Sequence, residues 1–220
     1  GPPMASVILF AGGHGGLALS GGGFGWGSKN FLVRTRARFA EHGLLVAVID
    51  APSDRRDHAL WNFRLTAEHA EDVKAVIAAL RALAPVPVWV VGTSMGTVSA
   101  ASVAARLGAG GPDGVVLTSS VTRTSRAVGE IIGLAKLGRI AVPTLLVHHV
   151  HDECASTPVG AMSGVLKDLK NAPRKELLTF DGGDPPRSGP CEAMAAHGYL
   201  GLEAEVVAAI ARWIAGAIKP

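Results

Sequence analysis

Residues 88–98 read VWVVGTSMGTV, an apolar run that meets Gly92-Thr93-Ser94-Met95-Gly96 and passes at once into small residues at helical spacing, Ala100, Ala101, Ala104 and Ala105. A strand, a tight turn and a helix in that order place a serine at the apex of the turn. The turn is so sharp that residues two before and two after the serine must lack bulk, and Gly92 and Gly96 stand there. The hydroxyl then projects above the sheet at the positive end of the following helix. A chance glycine–serine turn would require neither the strand before it nor the helix after it. Ser94 is therefore the candidate nucleophile.

Working outward, further short apolar runs at 5–10, 44–49, 114–117, 144–147 and 176–180 read as buried strands, with 86–91 as the strand before the turn. Segments of helical period at 30–41, 66–83, 95–107, 126–137, 159–169 and 202–218 lie between and after them. This alternation predicts right-handed crossovers and a mostly parallel sheet in a three-layer α/β/α sandwich. The chain has 220 residues, 48% hydrophobic and 18% charged, a balance opposite to that of a disordered chain. Its net charge of +3 is scattered, without a run of four like charges, so no nucleic-acid or membrane-surface partner is expected, and no uninterrupted apolar stretch is long enough to predict a membrane span. A soluble globular chain is the expectation.

One stretch breaks the rhythm. Between Gly12 and Gly27, nine of sixteen residues are glycine (GGHGGLALSGGGFGWG). Such a loop after a strand lets backbone N–H groups approach a ligand closely. Gly13 to Ala18 fits a loose dinucleotide pattern, but the acid expected about 20 residues on is missing and Asp50 lies too far along. Gly22 to Lys29 suggests a phosphate loop, yet Ser28 and Lys29 stand in the wrong order. A third reading needs the serine.

The GTSMG turn in its strand–turn–helix setting resembles that of the α/β-hydrolase family, and the resemblance covers the chain from Ala5 onward. It implies an α/β-hydrolase fold of dienelactone-hydrolase or cutinase size, a single domain over 5–220, with residues 5–10 as the family's third strand. The family's first strands have no counterpart, as in a minimal hydrolase or a chain trimmed at its start, and 118–142 is too short for a lid domain. Gly1-Pro2-Pro3-Met4 reads as the remnant of a cleaved tag.

The family order, serine then acid then histidine, points to Asp152 at the end of strand 144–147 and to His197 on a loop before the last helix. Asp181 and Asp184 are the reserve acids. A neutral imidazole takes the serine proton and a buried carboxylate holds the useful tautomer. The oxyanion hole would draw on the N–H groups of Met95 and Gly13, with His14 next, which gives the glycine loop its purpose. His148, His149 and His151 with Asp152 could ligate zinc, but neighbouring strand residues face opposite sides. No cofactor and no metal are expected. His42, His58 and His69 read as ordinary surface or helix histidines.

If Asp152 and His197 are partners their loops meet, bringing Cys154 and Cys191 together. A disulfide there, with two free thiols as the alternative, implies an oxidising compartment, so a periplasmic or secreted protein with its leader removed. Trp26, Trp61 and Phe24 either border the pocket or belong to the core. The expected activity is serine carboxylester hydrolysis on a small-molecule or polymeric ester. Lactonase, thioesterase or amidase action and a non-catalytic binding protein are the alternatives.

Overall fold

The computed structural model describes residues 1–126 and 128–218. Ala127, Lys219 and Pro220, which fall inside the expected helix 126–137 and the expected domain 5–220, lie outside the described residues. Six strands form one parallel sheet: β1 (Ala5–Phe10), β4 (Leu44–Val48), β5 (Val88–Thr93), β6 (Gly114–Thr118), β7 (Thr144–His149) and β8 (Lys175–Phe180). Their order across the sheet is β4-β1-β5-β6-β7-β8. The chain first winds outward from β1 to β4, then crosses back over β1 and runs the other way. That reversal leaves the carboxyl ends of β1 and β5 side by side, with Phe10 opposite Gly92, at the switch point where such sheets bind ligands.

Side-chain alternation on β1 shows why its sequence is apolar throughout. Val7 and Leu9 pack with α1 (Phe31–Glu41) and α5 (Glu203–Ile218), through Phe31, Leu32, Val206 and Ile210. Ile8 and Phe10 face the opposite side, in the core layer that α2 (Ala67–Leu83) and α3 (Gly96–Leu107) cover through Val73, Ile77 and Val98, and that α4 (Met162–Asp168) continues beside β8. A strand covered on both faces needs an apolar residue at every position. Helix starts follow their caps: the Asn30 side chain accepts from Leu32 N–H, and that of Thr66 from His69 N–H.

Two features depart from expectation. The glycine-rich stretch contains a small antiparallel ribbon, β2 (Leu19–Ser20) with β3 (Gly23–Phe24). The helix expected over 126–137 is absent among its described residues, which instead hold a Ser125–Val128 bridge and 3-10 turns at Ile132–Ala135 and Leu137–Arg139. Gly129 and Gly133 weaken any helix there by about 0.5–1 kcal/mol each. The Glu130 carboxyl, which a helix would carry at mid-span, is buried near Arg64 instead. Among the described residues, this connection between β6 and β7 contains no lid domain, and no helix is long and apolar enough to cross a membrane.

Candidate active site

Ser94 sits between β5 and α3 with φ at +52°, a left-handed conformation that a serine rarely adopts. Its N–H donates to Thr118 O at 3.0 Å. The turn works only with glycine on either side: a Cβ at Gly92 would collide with the Gly96 carbonyl, and one at Gly96 with the Phe10 carbonyl. Met95 is the N-cap of α3, so its own N–H belongs to the open, positive end of the helix.

His197 and Asp152, far apart in sequence, meet here. His197 Nδ1 lies 3.0 Å from Asp152 Oδ2 and 3.2 Å from Oδ1. An ionised carboxylate only accepts, so Nδ1 carries the proton, and in the neutral imidazole Nε2 presents its lone pair. That Nε2 is buried and has no hydrogen-bond partner among the described residues. Ser94 and His197 line one cleft of about 650 Å³, together with Gly12, Gly13 and Trp26. Burial by itself would push the Asp152 carboxyl up. Hydrogen bonds from His148 and His197, the His197 charge and the Cys154 N–H outweigh it and hold the carboxyl well below the usual carboxylate range.

Several groups around this pair carry no signal in the sequence. Thr157 Oγ1 donates to Asp152 Oδ2 at 2.9 Å. His148, fully buried, has Nε2 2.8 Å from Thr157 O and 3.4 Å from Asp152 Oδ2. Because the carbonyl only accepts, the proton is on Nε2 and is shared toward the carboxylate. Tyr199 donates its hydroxyl to Val147 O and accepts from Ser119 N–H, while Ser119 Oγ donates to His197 O at 2.8 Å. Arg34 holds the histidine loop from its other side, donating to Gly198 O and pairing with Glu203 at 2.9 Å. A lone threonine, tyrosine or arginine in a sequence does not announce such contacts.

The glycine loop runs beside the serine. A Cβ at Gly12 would stand 3.0 Å from Ser94 Cβ. The Gly13 carbonyl accepts from Arg64 Nη2 at 2.9 Å, and Arg64 Nη1 donates to Ser99 Oγ at 2.8 Å, which ties the loop to α3. Complete burial lowers the Arg64 pKa to about 10, with Glu130 opposing the shift. Asp50 anchors the far end of the loop, accepting from the N–H groups of Leu17 and Leu19. Gly13 lines the serine cleft, whereas the His14 ring stacks on Trp26 at 3.9 Å and lines a neighbouring cavity. The apparent phosphate-loop residues Ser28 and Lys29 belong to the cleft wall.

The remaining candidates lie elsewhere. Asp181 pairs with exposed His151 at 3.2 Å and Asp184 approaches Arg187, and neither lines the serine cleft. His149 Nε2 meets Gly182 O at 3.0 Å, so His148, His149 and His151 go to three different partners. His69 stands on helix α2, one of the two places expected of it, and is buried there between Phe10 and Phe63. Trp26 lines the cleft and Trp61 lines only the neighbouring cavity, whereas Phe24 packs at the edge of the small cluster of Ala11, Leu17 and Val33. Cys154 and Cys191 form a disulfide, 37 residues apart in sequence, with Cys191 on the cleft wall.

No protein-family model and no curated protein sequence matches this chain. Solved structures do resemble it. A dienelactone hydrolase from Anabaena variabilis superposes with a TM-score of 0.67 at 16% identity, over 99% of this chain and 90% of its own. A cold-adapted esterase from an Arctic intertidal metagenomic library gives 0.62 at 17% identity, over 100% and 85%. A lidless α/β serine hydrolase from Xanthomonas campestris gives 0.59 at 18% identity, over 97% and 84%. Likeness at these identities is likeness of architecture, and the architecture is the α/β-hydrolase fold.

Proposed function

We propose that this α/β-hydrolase-fold chain is a serine hydrolase that cleaves carboxylic esters through an acyl-enzyme. One observation carries the reading: a buried His197 Nε2, without a partner among the described residues and with its ring held by Asp152, shares a cleft with a serine in left-handed backbone geometry. A serine hydroxyl is a poor nucleophile until a base takes its proton. In the first step Ser94 Oγ bonds to the ester carbonyl carbon while its proton passes to His197 Nε2. The carbonyl oxygen becomes an oxyanion, for which the N–H groups of Met95 and Gly13 are the proposed donors, with His14 the next candidate. The carbon–alkoxy bond then breaks and His197 returns the proton to the departing alcohol. Water, deprotonated by the same imidazole, releases the acid and restores Ser94. Asp152 stays ionised and stabilises the imidazolium.

An open cleft with no lid domain among the described residues fits small to medium esters or an ester on a polymer. The disulfide supports a periplasmic or secreted location. Hydrolysis of a short p-nitrophenyl ester, with fluorophosphonate labelling, tests the reading. Wild type should turn over and be labelled, and Ser94→Ala should lose labelling and at least about 10³-fold in kcat. A wild type that neither labels nor hydrolyses the ester would make the chain a binding protein on a hydrolase fold.

A further inference from the structure

Behind the serine cleft, at the same carboxyl edge of the sheet, lies a second cavity of about 670 Å³. Five large hydrophobic side chains are exposed among the described residues, and three of them, Leu19, Trp26 and Trp61, line this cavity at 43%, 41% and 40% exposure. Exposed indoles gathered in one concavity mark a surface that receives a partner. Trp26 lines both cavities, and the step between them is short. A Cβ at Gly12 would stand 3.0 Å from Ser94 Cβ, and one at Gly13 would stand 2.7 Å from Trp26 Cη2.

The polar groups limit what the occupant is. Asp50 accepts three N–H groups, from Leu17, Leu19 and Ala51. Burial works against its charge, but these bonds prevail and keep the carboxyl below its ordinary pKa. Asp57 adds a second acid against the single guanidinium of Arg56, so the lining opposes a carboxylate or phosphate ligand. His14 accepts Gly16 N–H on Nδ1, which leaves Nε2–H as a donor. Burial first, then Arg64, lower its pKa and keep it neutral. A hydrocarbon chain would desolvate the His14 Nε2–H and the charged Asp57 and Arg56 without offering them a partner. A neutral polyhydroxylated ring offers C–H faces to the electron-rich indoles and hydroxyl edges to the polar groups.

We propose that this second cavity is a subsite for an uncharged sugar ring, so that the substrate is an O-acylated carbohydrate with its acyl group in the Ser94 cleft and its sugar beyond Trp26. The inference rests on the serine-ester reading and deepens it. In the acylation step the bond between the acyl carbon and the sugar oxygen breaks, and the proton on His197 goes to that oxygen.

Two measurements test it separately from the hydrolase reading. The first titrates Ser94→Ala with xylobiose or cellobiose and follows tryptophan fluorescence, which requires no catalysis. Saturable binding below about 10 mM, weakened at least about fivefold by adding Trp61→Ala, is expected. No binding of either disaccharide, or tighter binding of the uncharged aromatic methyl ferulate, overturns the subsite. The second compares kcat/KM for an acetylated xylobiose with that for p-nitrophenyl acetate. Trp61→Ala should lower the ratio about tenfold, and an unchanged ratio overturns the proposal. Loss of p-nitrophenyl acetate hydrolysis in wild type would defeat the hydrolase reading instead, and with it the acyl-sugar substrate, while the disaccharide titration would still decide the subsite.

Discussion

Thr157 is the residue whose contribution is most disproportionate to its place in the sequence. Its hydroxyl donates to Asp152 Oδ2 at 2.9 Å, and its carbonyl accepts from His148, which leans on the same carboxylate. The acid is thus held by four donors: His197, Thr157, the Cys154 N–H and, at longer range, His148. A hydrogen bond to a charged group contributes about 1.5–3 kcal/mol. Thr157→Val keeps the shape and removes the donor, so kcat should fall about tenfold or more. KM should change little, because Thr157 does not line the cleft that substrate enters. Steady-state kinetics on a p-nitrophenyl ester checks this. A rise in KM at constant kcat would mean that Thr157 contacts substrate rather than the acid.

At the scale of elements, the candidate site is a meeting of loops rather than a product of any one of them. The 187–194 segment forms one wall of the cleft, and the Cys154–Cys191 disulfide fastens it to the loop that carries Asp152. Closing a loop of 37 residues stabilises the fold by about 2–4 kcal/mol, mainly by restricting the unfolded chain. Replacing both cysteines by serine should therefore lower Tm and shift urea unfolding by that amount. Activity should fall as well, since His197 follows this wall in sequence. Equal Tm values for oxidised and reduced protein would show that the wall is held without the disulfide. On the other side of the sheet edge, Arg64 and Asp50 do the corresponding work for the glycine loop, through Gly13 O and the N–H groups of Leu17 and Leu19.

The stability of the whole molecule should carry an acid dependence set largely by one residue outside the candidate site. His69 is enclosed by Phe10 and Phe63, and burial, then the charges of Arg64 and Arg55, push its pKa from 6.5 to about 3. Between those values the unfolded chain binds a proton that the folded chain refuses. Stability therefore falls as pH drops through that window, by up to about 1.4 kcal/mol per pH unit. Asp152 acts in the same direction but lower, because its depressed carboxyl titrates below the ordinary value of 3.8. Urea unfolding of wild type and His69→Leu at about pH 6.5 and about pH 4.5 isolates the histidine. The variant should lose less stability on acidification, and identical losses would show that His69 protonates in the folded state.

Much of this was legible in the chain because it depends on local chemistry. Apolar runs on both faces of a strand, helical periods between them, and a serine between Gly92 and Gly96 are short-range patterns with few physical solutions each. They determine the parallel sheet, five of the six expected helices and the turn that presents Ser94. The pairing of Asp152 with His197 could be expected from order along the chain only after a resemblance was granted. Where the pattern was weak it misled: the helical period over 126–137 yields to two glycines and to a carboxyl drawn toward Arg64, some 66 residues away in sequence. Thr157, Ser119, Tyr199 and Arg34 around the histidine, and Trp26 between two cavities, acquire their roles solely from contacts between distant segments. Backbone preference is set within a few residues, so sequence alone determined most of the elements. Desolvation and hydrogen-bond satisfaction are set by whatever folding brings alongside, so only the tertiary structure decided what surrounds the serine.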